Sequence, residues 1–304
     1  MRKPSVTIGI VALNEEDNIE KMFQSLFTQK KETYTLDKIL LISDGSTDDT
    51  VQIVKSLANP KVVVHEYRLR IGKSQHLNTL FQKSESDIIV LFDADILLAN
   101  PVVIDNLIKP LIDKPNTMYV GGNPQPIAGT TLIEKAVNAS FVAYDQIRTV
   151  HNNRNTPYGC DGRILALKKE FYKKVVVPED MIANDNFMYF VCNKLGYDFE
   201  HVRDAIVYFR SPATLRDHLR QNKRFIAARK RMLRIFTPQT VAAAYAIPIT
   251  YKFQYIFPQL IKHPILALTI FIVNLYCLHR ALIEEKLMTA KWAIAETTKY
   301  DINR

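Results

Sequence analysis

The sequence predicts an α/β protein with a mainly parallel central sheet flanked by helices, followed by an apolar helical region that associates with a membrane. Three observations predict it. Strand-like and helix-like stretches alternate over residues 1–100, short acidic signatures follow two of those strands, and the basic stretch Arg216–Arg234 gives way to the apolar stretch Val241–Ile283.

The strands of the first part are Val6–Ala12, Ile39–Ser43, Val62–Glu66 and Ile88–Phe92, each a short run rich in β-forming residues. Helical patterns lie between them at Asn18–Thr28, Asp48–Leu57 and Ser74–Lys83. Strand, helix, strand at this spacing implies right-handed βαβ units. Ser46 or Thr47 can cap the second helix, and Asp48 and Asp49 complement its dipole. Beyond Asp95 the order changes. Pro101–Ile112 reads as a helix and Met118–Gly121 as a strand. Thr131–Val150 is a longer amphipathic helix, with Leu132, Ala136, Val137, Ser140, Phe141 and Tyr144 at helical spacing. Arg163–Leu167 and Ala205–Phe209 are strand-like, Asp185–Leu195 is a helix closed by Gly196, and Pro212–Phe236 is a helix with Pro in its first turn. No internal repeat or low-complexity tract interrupts the chain.

With 304 residues, 47% of them hydrophobic, the chain can bury one large core or two small ones, which excludes a disordered class. Its three cysteines, Cys160, Cys192 and Cys277, are odd in number and widely spaced. They form neither a disulfide framework nor a metal-ligand spacing, which favours a reducing compartment. The run Val6–Ala12 is short and carries Thr7 and Gly9, so no secretory signal is visible.

The net charge of +9 is concentrated between Arg216 and Arg234, where eight Arg and Lys residues are opposed only by Asp217. That stretch lacks interleaved aromatics and matches no nucleic-acid motif, so nucleic acid is not expected as a partner. A basic segment beside an apolar one reads instead as the cytoplasmic flank of a membrane region. Pro264–Leu278 is strongly apolar with Asn274 as its clearly polar exception, yet short of the about 20 residues that a span needs. Val241–Ile261 is interrupted by Pro248, Lys252, Gln254 and Pro258. Three arrangements stand: a two-pass hairpin with both ends cytoplasmic, interfacial helices in the headgroup plane, and packing against the preceding domain. The first two place the chain on the cytoplasmic face of a membrane.

The acidic signatures are Ser43-Asp44-Gly45-Ser46-Thr47-Asp48-Asp49-Thr50 and Phe92-Asp93-Ala94-Asp95. Carboxylates at the carboxyl ends of neighbouring parallel strands converge on the crevice where open α/β sheets bind ligands. Asp93 and Asp95, two apart, share one face of an extended strand end. Such a pair suits Mg²⁺ or Mn²⁺ on a diphosphate, because hard cations take carboxylate and phosphate oxygens. Asp95 is the direct metal ligand in this reading, with Asp93 on a ribose or a metal-bound water. The pattern points to a nucleotide-handling enzyme. Lys73 follows Gly72 at a loop-to-helix start that favours phosphate, with a plain surface lysine as the alternative. Asn14 and Glu15 either line the nucleotide pocket or cap the first helix. Asp44, in Asp-Gly-Ser, also fits an ordinary turn.

Taken in order, Ala12-Leu13-Asn14-Glu15-Glu16, Ser43-Asp44-Gly45-Ser46-Thr47-Asp48, Gly72-Lys73 with Asn78, and Asp93-Ala94-Asp95 resemble the family 2 glycosyltransferases, inverting nucleotide-sugar-dependent enzymes of GT-A fold. Asn184-Asp185 stands where that family carries a Glu-Asp pair. Gln221-Asn222-Lys223-Arg224-Phe225 is similar to the Gln-x-x-Arg-Trp motif of the chitin, cellulose and hyaluronan synthase branch. The tail from Lys291-Trp292 to Thr298-Lys299 is similar to that of some single-catalytic-domain members. Asn184 and Phe225 are departures: one removes a supporting carboxylate, the other keeps an aromatic without the indole donor.

The resemblance implies a catalytic domain over residues 1–235, with a nucleotide-binding half (1–100) and an acceptor-binding half (101–235), and a membrane-associating tail over 236–304. It implies metal-dependent transfer of a hexosyl or N-acetylhexosaminyl group, with inversion, from a nucleoside diphosphate sugar, UDP-linked, to a hydroxyl of a glycan or lipid-linked acceptor. Ala12, Asn14, Glu15, Lys73 and Asp93 would contact the nucleotide, and Asp44 would accept from its base. Asp185 would be the general base, with Asp180 as its nearest rival. Gln221 and Arg224, three apart, share one helical face, from which Arg224 would clamp the diphosphate or stabilise the transition state. Two rivals remain. A sugar-phosphate nucleotidyltransferase would need a glycine-rich loop after the first strand, where Ala12-Leu13-Asn14-Glu15-Glu16 has none. A membrane-bound scaffold that binds nucleotide sugar without catalysis would not need Asp185.

Overall fold

The computed structural model describes residues 2–284 and 295–302. Its strands are β1 (Ser5–Ala12), β2 (Thr35–Asp44), β3 (Val62–Tyr67), β4 (Ile88–Asp93), β5 (Ile96–Leu98), β6 (Thr117–Pro126), β7 (Ile164–Lys168) and β8 (Asp198–Phe209). They form one eight-stranded sheet in the order β3-β2-β1-β4-β7-β6-β8-β5. The first four strands are parallel, joined by the helices Ile19–Phe27, Thr50–Ser56 and Lys73–Lys83. The sheet as a whole is mixed, which corrects the mainly parallel expectation. β7 runs antiparallel to both β4 and β6, and β5 runs antiparallel to β8. The alternation of a strand's residues fixes which side chains face which layer, but not which way the strand runs.

The three-residue β5 escaped the sequence reading, and it reveals the curvature of the sheet. Only Ala94 and Asp95 separate β4 from β5, although three strands lie between them in the hydrogen-bonded order. Four inter-strand steps in a flat sheet would measure about 19 Å. The three residue steps from Asp93 to Ile96 reach at most about 11 Å. The far edge therefore curls back towards β4, with Asp95 at the fold line.

Both faces of the parallel half are covered, so its strands read as continuous apolar runs. Ile88, Val90 and Phe92 of β4 join one core with helices Ile19–Phe27 and Val103–Asp113. Ile89 and Leu91 join the other, with Leu77, Leu80 and Phe81 of helix Lys73–Lys83 and the aromatic side chains Tyr119, Phe171, Phe190 and Phe199. Each side would lose its sealing layer if the register slipped by one residue.

Helix starts are set locally. Thr131 caps Leu132–Val150 in a capping box with Glu134, whose other oxygen accepts from buried Arg210 at 3.1 Å. Thr214 caps Leu215–Met232, so this helix begins after the proline expected in its first turn. Ser46 and Thr47 do not cap Thr50–Ser56. Asp49 holds that position, while the Ser46 hydroxyl accepts from the Asn14 N–H at 3.1 Å.

The segment read from sequence as a tail divides in two. Helix Pro264–Glu284 packs on Leu215–Met232 and Leu132–Val150, turning Ile270 and Cys277 inward. Asn274 stays exposed at this helix contact, its amide oxygen accepting from Asn222 Nδ2 at 2.6 Å. The outer side of the same region leaves Phe253, Phe257, Ile261, Ile265, Leu268 and Phe271 exposed. Among the described residues no single helix is long and apolar enough to cross a membrane, though Pro238–Lys262 and Pro264–Arg280, bent by 109°, reach that length and composition together. Ala295–Ile302 instead lies against both the start of helix Leu215–Met232 and the loop after β1. Thr297 donates from N–H and hydroxyl to Asp217, and Ile302 N–H donates to Asn18. Lys291, Trp292 and the side chain of Phe225 lie outside the described residues.

Gly121 of β6 marks the closest approach to the loop that leads into the cleft. A Cβ there would lie 2.2 Å from the Gly159 carbonyl and 3.1 Å from the Phe199 ring. Gly121→Ala should therefore destabilise the fold by about 1–3 kcal/mol, the usual cost of overpacking, read as a lowered urea midpoint at unchanged slope. An unchanged midpoint would mean that the 157–162 loop yields freely.

Candidate active site

The carboxyl ends of β1, β2 and β4 open on one cleft of about 300 Å³, roofed by the starts of helices Lys73–Lys83 and Asn184–Lys194, the middle of Leu215–Met232, and the segment after residue 295. Of the residues predicted from sequence, Ala12, Glu15, Asp44, Lys73, Asp93, Asp95, Asp185, Gln221 and Arg224 line it. Asn14 does not. With φ at 53°, it turns its amide oxygen to accept from Thr47 N–H at 2.8 Å, tying the loops after β1 and β2 together. Asp180 also stands away: its side chain is 65% exposed and pairs with Arg231 at 3.8 Å.

Asp44 ends β2 and is almost fully enclosed. Its Oδ1 accepts from Ile71 N–H at 2.7 Å, Gly72 N–H at 3.2 Å and His76 Nε2 at 2.7 Å. Burial alone would raise its proton affinity, but the His76 ring and the two backbone donors outweigh that and hold the carboxyl below its ordinary range. One side chain thus fixes the loop 68–72 and the start of the next helix, where Gly72 sits at φ 103°. From that start Lys73 reaches back to pair with Asp93 and lies 3.5 Å from the Gly162 carbonyl.

Asp93 and Asp95 stand at the break between β4 and β5. Burial and the neighbouring Asp93 raise the proton affinity of Asp95, against the pull of Arg163 and Lys299. Sequence reasoning missed Arg163. Its guanidinium donates to both oxygens of Asp161 at 3.0 and 2.9 Å and lies 3.8 Å from the centre of the Phe209 ring. The motif Cys160-Asp161-Gly162-Arg163 sits just before β7 and has no composition that marks it.

Asp185 opens helix Asn184–Lys194. Its Oδ2 accepts from Gly162 N–H at 3.1 Å and its Oδ1 from Asn186 N–H at 2.8 Å. Burial raises its proton affinity, the Asn186 N–H lowers it and Asp161 raises it again, for a net upward shift. Asn184, buried in the cleft wall, accepts at its amide oxygen from the Ser74 hydroxyl at 2.9 Å. Burial lowers the Arg224 guanidinium to about 10, while Asp93 and Asp185 hold it up.

Lys299 completes the wall. It donates to the Leu13 carbonyl and the Glu15 carboxylate, and to the Asn14 carbonyl at 3.2 Å. Burial nevertheless pushes Glu15 up to about 8. The Thr298-Lys299 resemblance was the available signal for this residue, although the tail assignment pointed elsewhere.

Among the described residues no group of three or more His, Cys, Asp or Glu side chains could hold a metal by itself. The hard oxygens of Asp93 and Asp95 fit a divalent cation whose remaining ligands come from a bound diphosphate and water. Lys73, Arg224 and Lys299 line the same cleft and complement an anionic ligand.

This fold and cleft define a nucleotide-sugar transferase class, and comparison with known proteins places the chain within it. The glycosyl transferase family 2 model matches residues 7–176, and the chain belongs to that family. It is 31% identical over 136 residues to a glucosyl-3-phosphoglycerate synthase of Petrotoga mobilis, covering 42% of each chain. It is 23% identical over 216 residues to a poly-beta-1,6-N-acetyl-D-glucosamine synthase of Staphylococcus aureus, covering 69% of this chain. The chain spans 42% and 51% of the lengths of these two relatives. Among solved structures, a mannosyltransferase from Pyrobaculum calidifontis with GDP-Man and Mn²⁺ superposes with a TM-score of 0.64 at 17% identity, over 94% of this chain and 88% of that one. Glucosyl-3-phosphoglycerate synthase from Mycobacterium tuberculosis, with Mn²⁺, UDP and phosphoglyceric acid, gives 0.54 at 17% identity, over 81% and 80%. The fold is GT-A-like, with a mixed, curled sheet.

Asp44→Ala should loosen the loop that builds the cleft mouth. Hydrogen bonds to a charged acceptor contribute about 1.5–3 kcal/mol each, so amide exchange at Ile71 and Gly72 should accelerate about ten-fold or more. Unchanged protection there would show that other contacts hold the loop.

Proposed function

We propose that this chain transfers a sugar, with inversion, from a nucleoside diphosphate sugar, UDP-linked, to a hydroxyl of a glycan or lipid-linked acceptor, using Mg²⁺ or Mn²⁺. The observation that carries this reading is the meeting of Asp93, Asp95 and Asp185 with Lys73 and Arg224 in one cleft at the strand ends. The structural neighbours in complex with Mn²⁺ and GDP-Man or UDP support the donor class and the metal.

Asp95, with Asp93, would hold the metal, which when bound stabilises charge on the diphosphate. Asp185 takes the proton of the acceptor hydroxyl as its oxygen bonds to the anomeric carbon. The bond from that carbon to the diphosphate breaks on the opposite face, and its electron pair leaves with the phosphate oxygen. Lys73 and Arg224 neutralise that oxygen's charge, and a positioned base contributes about 10²–10⁴-fold. The raised proton affinity of Asp185 makes it a stronger base than a surface aspartate, and only its ionised form can act.

The test is nucleoside diphosphate release by the purified full chain from a panel of nucleotide sugars, with membrane extract as acceptor. Release from one donor should be abolished by EDTA and by Asp95→Ala, and should slow by about 10²–10⁴-fold in Asp185→Asn. Activity should rise with pH along an acid limb lying above the ordinary aspartate value of about 3.9, because burial raises Asp185. Full-rate turnover by Asp185→Asn would sink the base assignment, and EDTA-insensitive release would remove the metal.

The same reading sets the chain on the cytoplasmic face of a membrane. The exposed Phe253, Phe257, Ile261, Ile265, Leu268 and Phe271, with exposed Lys252 and Lys262 among them, support an interfacial placement. Co-flotation with anionic phospholipid vesicles should fall by about ten-fold or more in Phe257→Glu/Phe271→Glu, given several kcal/mol of buried aromatic area. Equal flotation of that variant would assign the exposed face to something other than lipid.

A further inference from the structure

We infer that Tyr245, in the first half of the bent helical region, is a positioning residue for the carboxylate of Asp185. The inference rests on the proposed role of Asp185 as general base. Tyr245 closes helix Pro238–Ala244. Its hydroxyl donates to Asn186 Oδ1 at 2.9 Å, and Asn186 Nδ2 donates in turn to Asp185 Oδ1 at 3.3 Å.

Chemistry fixes the direction of this relay. An asparagine amide can present either its oxygen or its nitrogen to a neighbour, and the surrounding donors decide which. Turned the other way, Asn186 would aim its carbonyl oxygen at a carboxylate oxygen. The ionised Asp185 carboxylate, which can only accept, excludes that orientation, and the Tyr245 O–H satisfies the amide oxygen in the one that puts N–H on Asp185. Burial raises the phenol above its ordinary range, so it keeps its proton.

The tyrosine is itself held. Tyr158 donates its hydroxyl to the Tyr245 carbonyl at 2.9 Å, and the Tyr245 ring meets Tyr158 edge-on at 5.9 Å and Phe190 at 6.0 Å. Phe190 stands on the same helix as Asp185 and Asn186. The ring therefore moves with the helix whose first turn it orients. Asp185 Oδ2, held by the Gly162 N–H, keeps its second lone pair for the cleft.

The groups facing Asp185 set what the relay can change. Asp161 and Cys160 oppose its ionisation, while Lys73 and Arg224 favour it. Tyr119 donates to its backbone carbonyl at 3.2 Å and leaves the carboxylate alone. Loss of the Asn186 amide donor destabilises the ionised form, so the proton affinity of Asp185 rises further.

The experiment compares kcat, donor KM and the pH profile for Tyr245→Phe, Asn186→Ala, the double variant and Asp185→Asn in the full chain. Tyr245→Phe keeps the ring and should lower kcat by about three- to ten-fold, the size of one neutral hydrogen bond. Donor KM should hold, and the acid limb should move to higher pH. Asn186→Ala should do the same, and the double variant should be no worse than Asn186→Ala, because both act through one contact. If Tyr245→Phe does not accumulate, the Asn186→Ala profile carries the test. Wild-type kcat and acid limb in Tyr245→Phe, or additive losses in the double variant, would overturn the inference while an inactive Asp185→Asn left the base intact. A fully active Asp185→Asn would instead remove the base reading on which it rests.

Discussion

Six carboxylates, Glu15, Asp44, Asp93, Asp95, Asp161 and Asp185, line one half-enclosed cleft, and their mutual repulsion is the constraint on which the rest of the structure depends. At an effective dielectric near a protein surface, two unit charges 4 Å apart interact by about 4 kcal/mol. An uncompensated cluster would therefore cost more than a domain's whole stability of about 5–15 kcal/mol. Each acid is answered from elsewhere in the chain. His76 and the loop N–H groups answer Asp44, Lys73 answers Asp93, Arg163 answers Asp161 and, with Lys299, Asp95, the Asn186 and Gly162 N–H groups answer Asp185, and Lys299 answers Glu15. The charge balance thus fastens the helix Lys73–Lys83, the strand β7, the helix Asn184–Lys194 and the last described segment around the strand ends. A cleft assembled this way is electrostatically poised for an anion that brings its own cation.

Much of this could be read from the residues. The positions of the first four strands were legible because strands covered on both faces are apolar throughout, and the acidic signatures sit where such strands must end. The polar residues that point inward from this helix were legible as well, since Gln221 and Arg224 are spaced for one face. Arg163, Asp161 and His76 were not. Each acts through a partner distant in sequence, and local pattern says nothing about a pairing that only the curl of the sheet creates. Strand direction failed for a related reason: alternation has no polarity. The two-residue link between β4 and β5 holds the missing information, but it becomes readable only once the strand order is known.

The basic stretch illustrates how one feature serves two surfaces. Read alone, Arg216–Arg234 is a cationic flank for lipid. Folded, Arg220 pairs with Asp217 and Glu296 at 3.1 Å each, Arg231 faces Asp180, and Arg224 turns into the cleft. At least three of its eight basic side chains are thus engaged within the domain. What faces outward from the following helices is mainly apolar, and Asn274, itself exposed, is engaged by the Asn222 amide of the neighbouring helix. A helix that turns bulky aliphatic and aromatic residues outward is inverted relative to a water-facing helix. That inversion, rather than the basic run, is the feature of the fold that a lipid surface would explain.

Asn184 follows from the same charge argument. It adjoins Asp185, is only 6% exposed, and turns its side chain to the hydroxyl of Ser74. A glutamate there would add a seventh carboxylate to a cluster in which burial already raises Asp95, Asp185 and Glu15. It would also find a neutral hydroxyl where the other acids find a cation or backbone donors. A neutral amide satisfies Ser74 without that repulsion, so Asp185 stays more readily ionised than it would beside an acid. The support that a second carboxylate would lend to a base is taken up by uncharged donors, the N–H groups of Gly162 and Asn186, which orient Asp185 without competing for its proton.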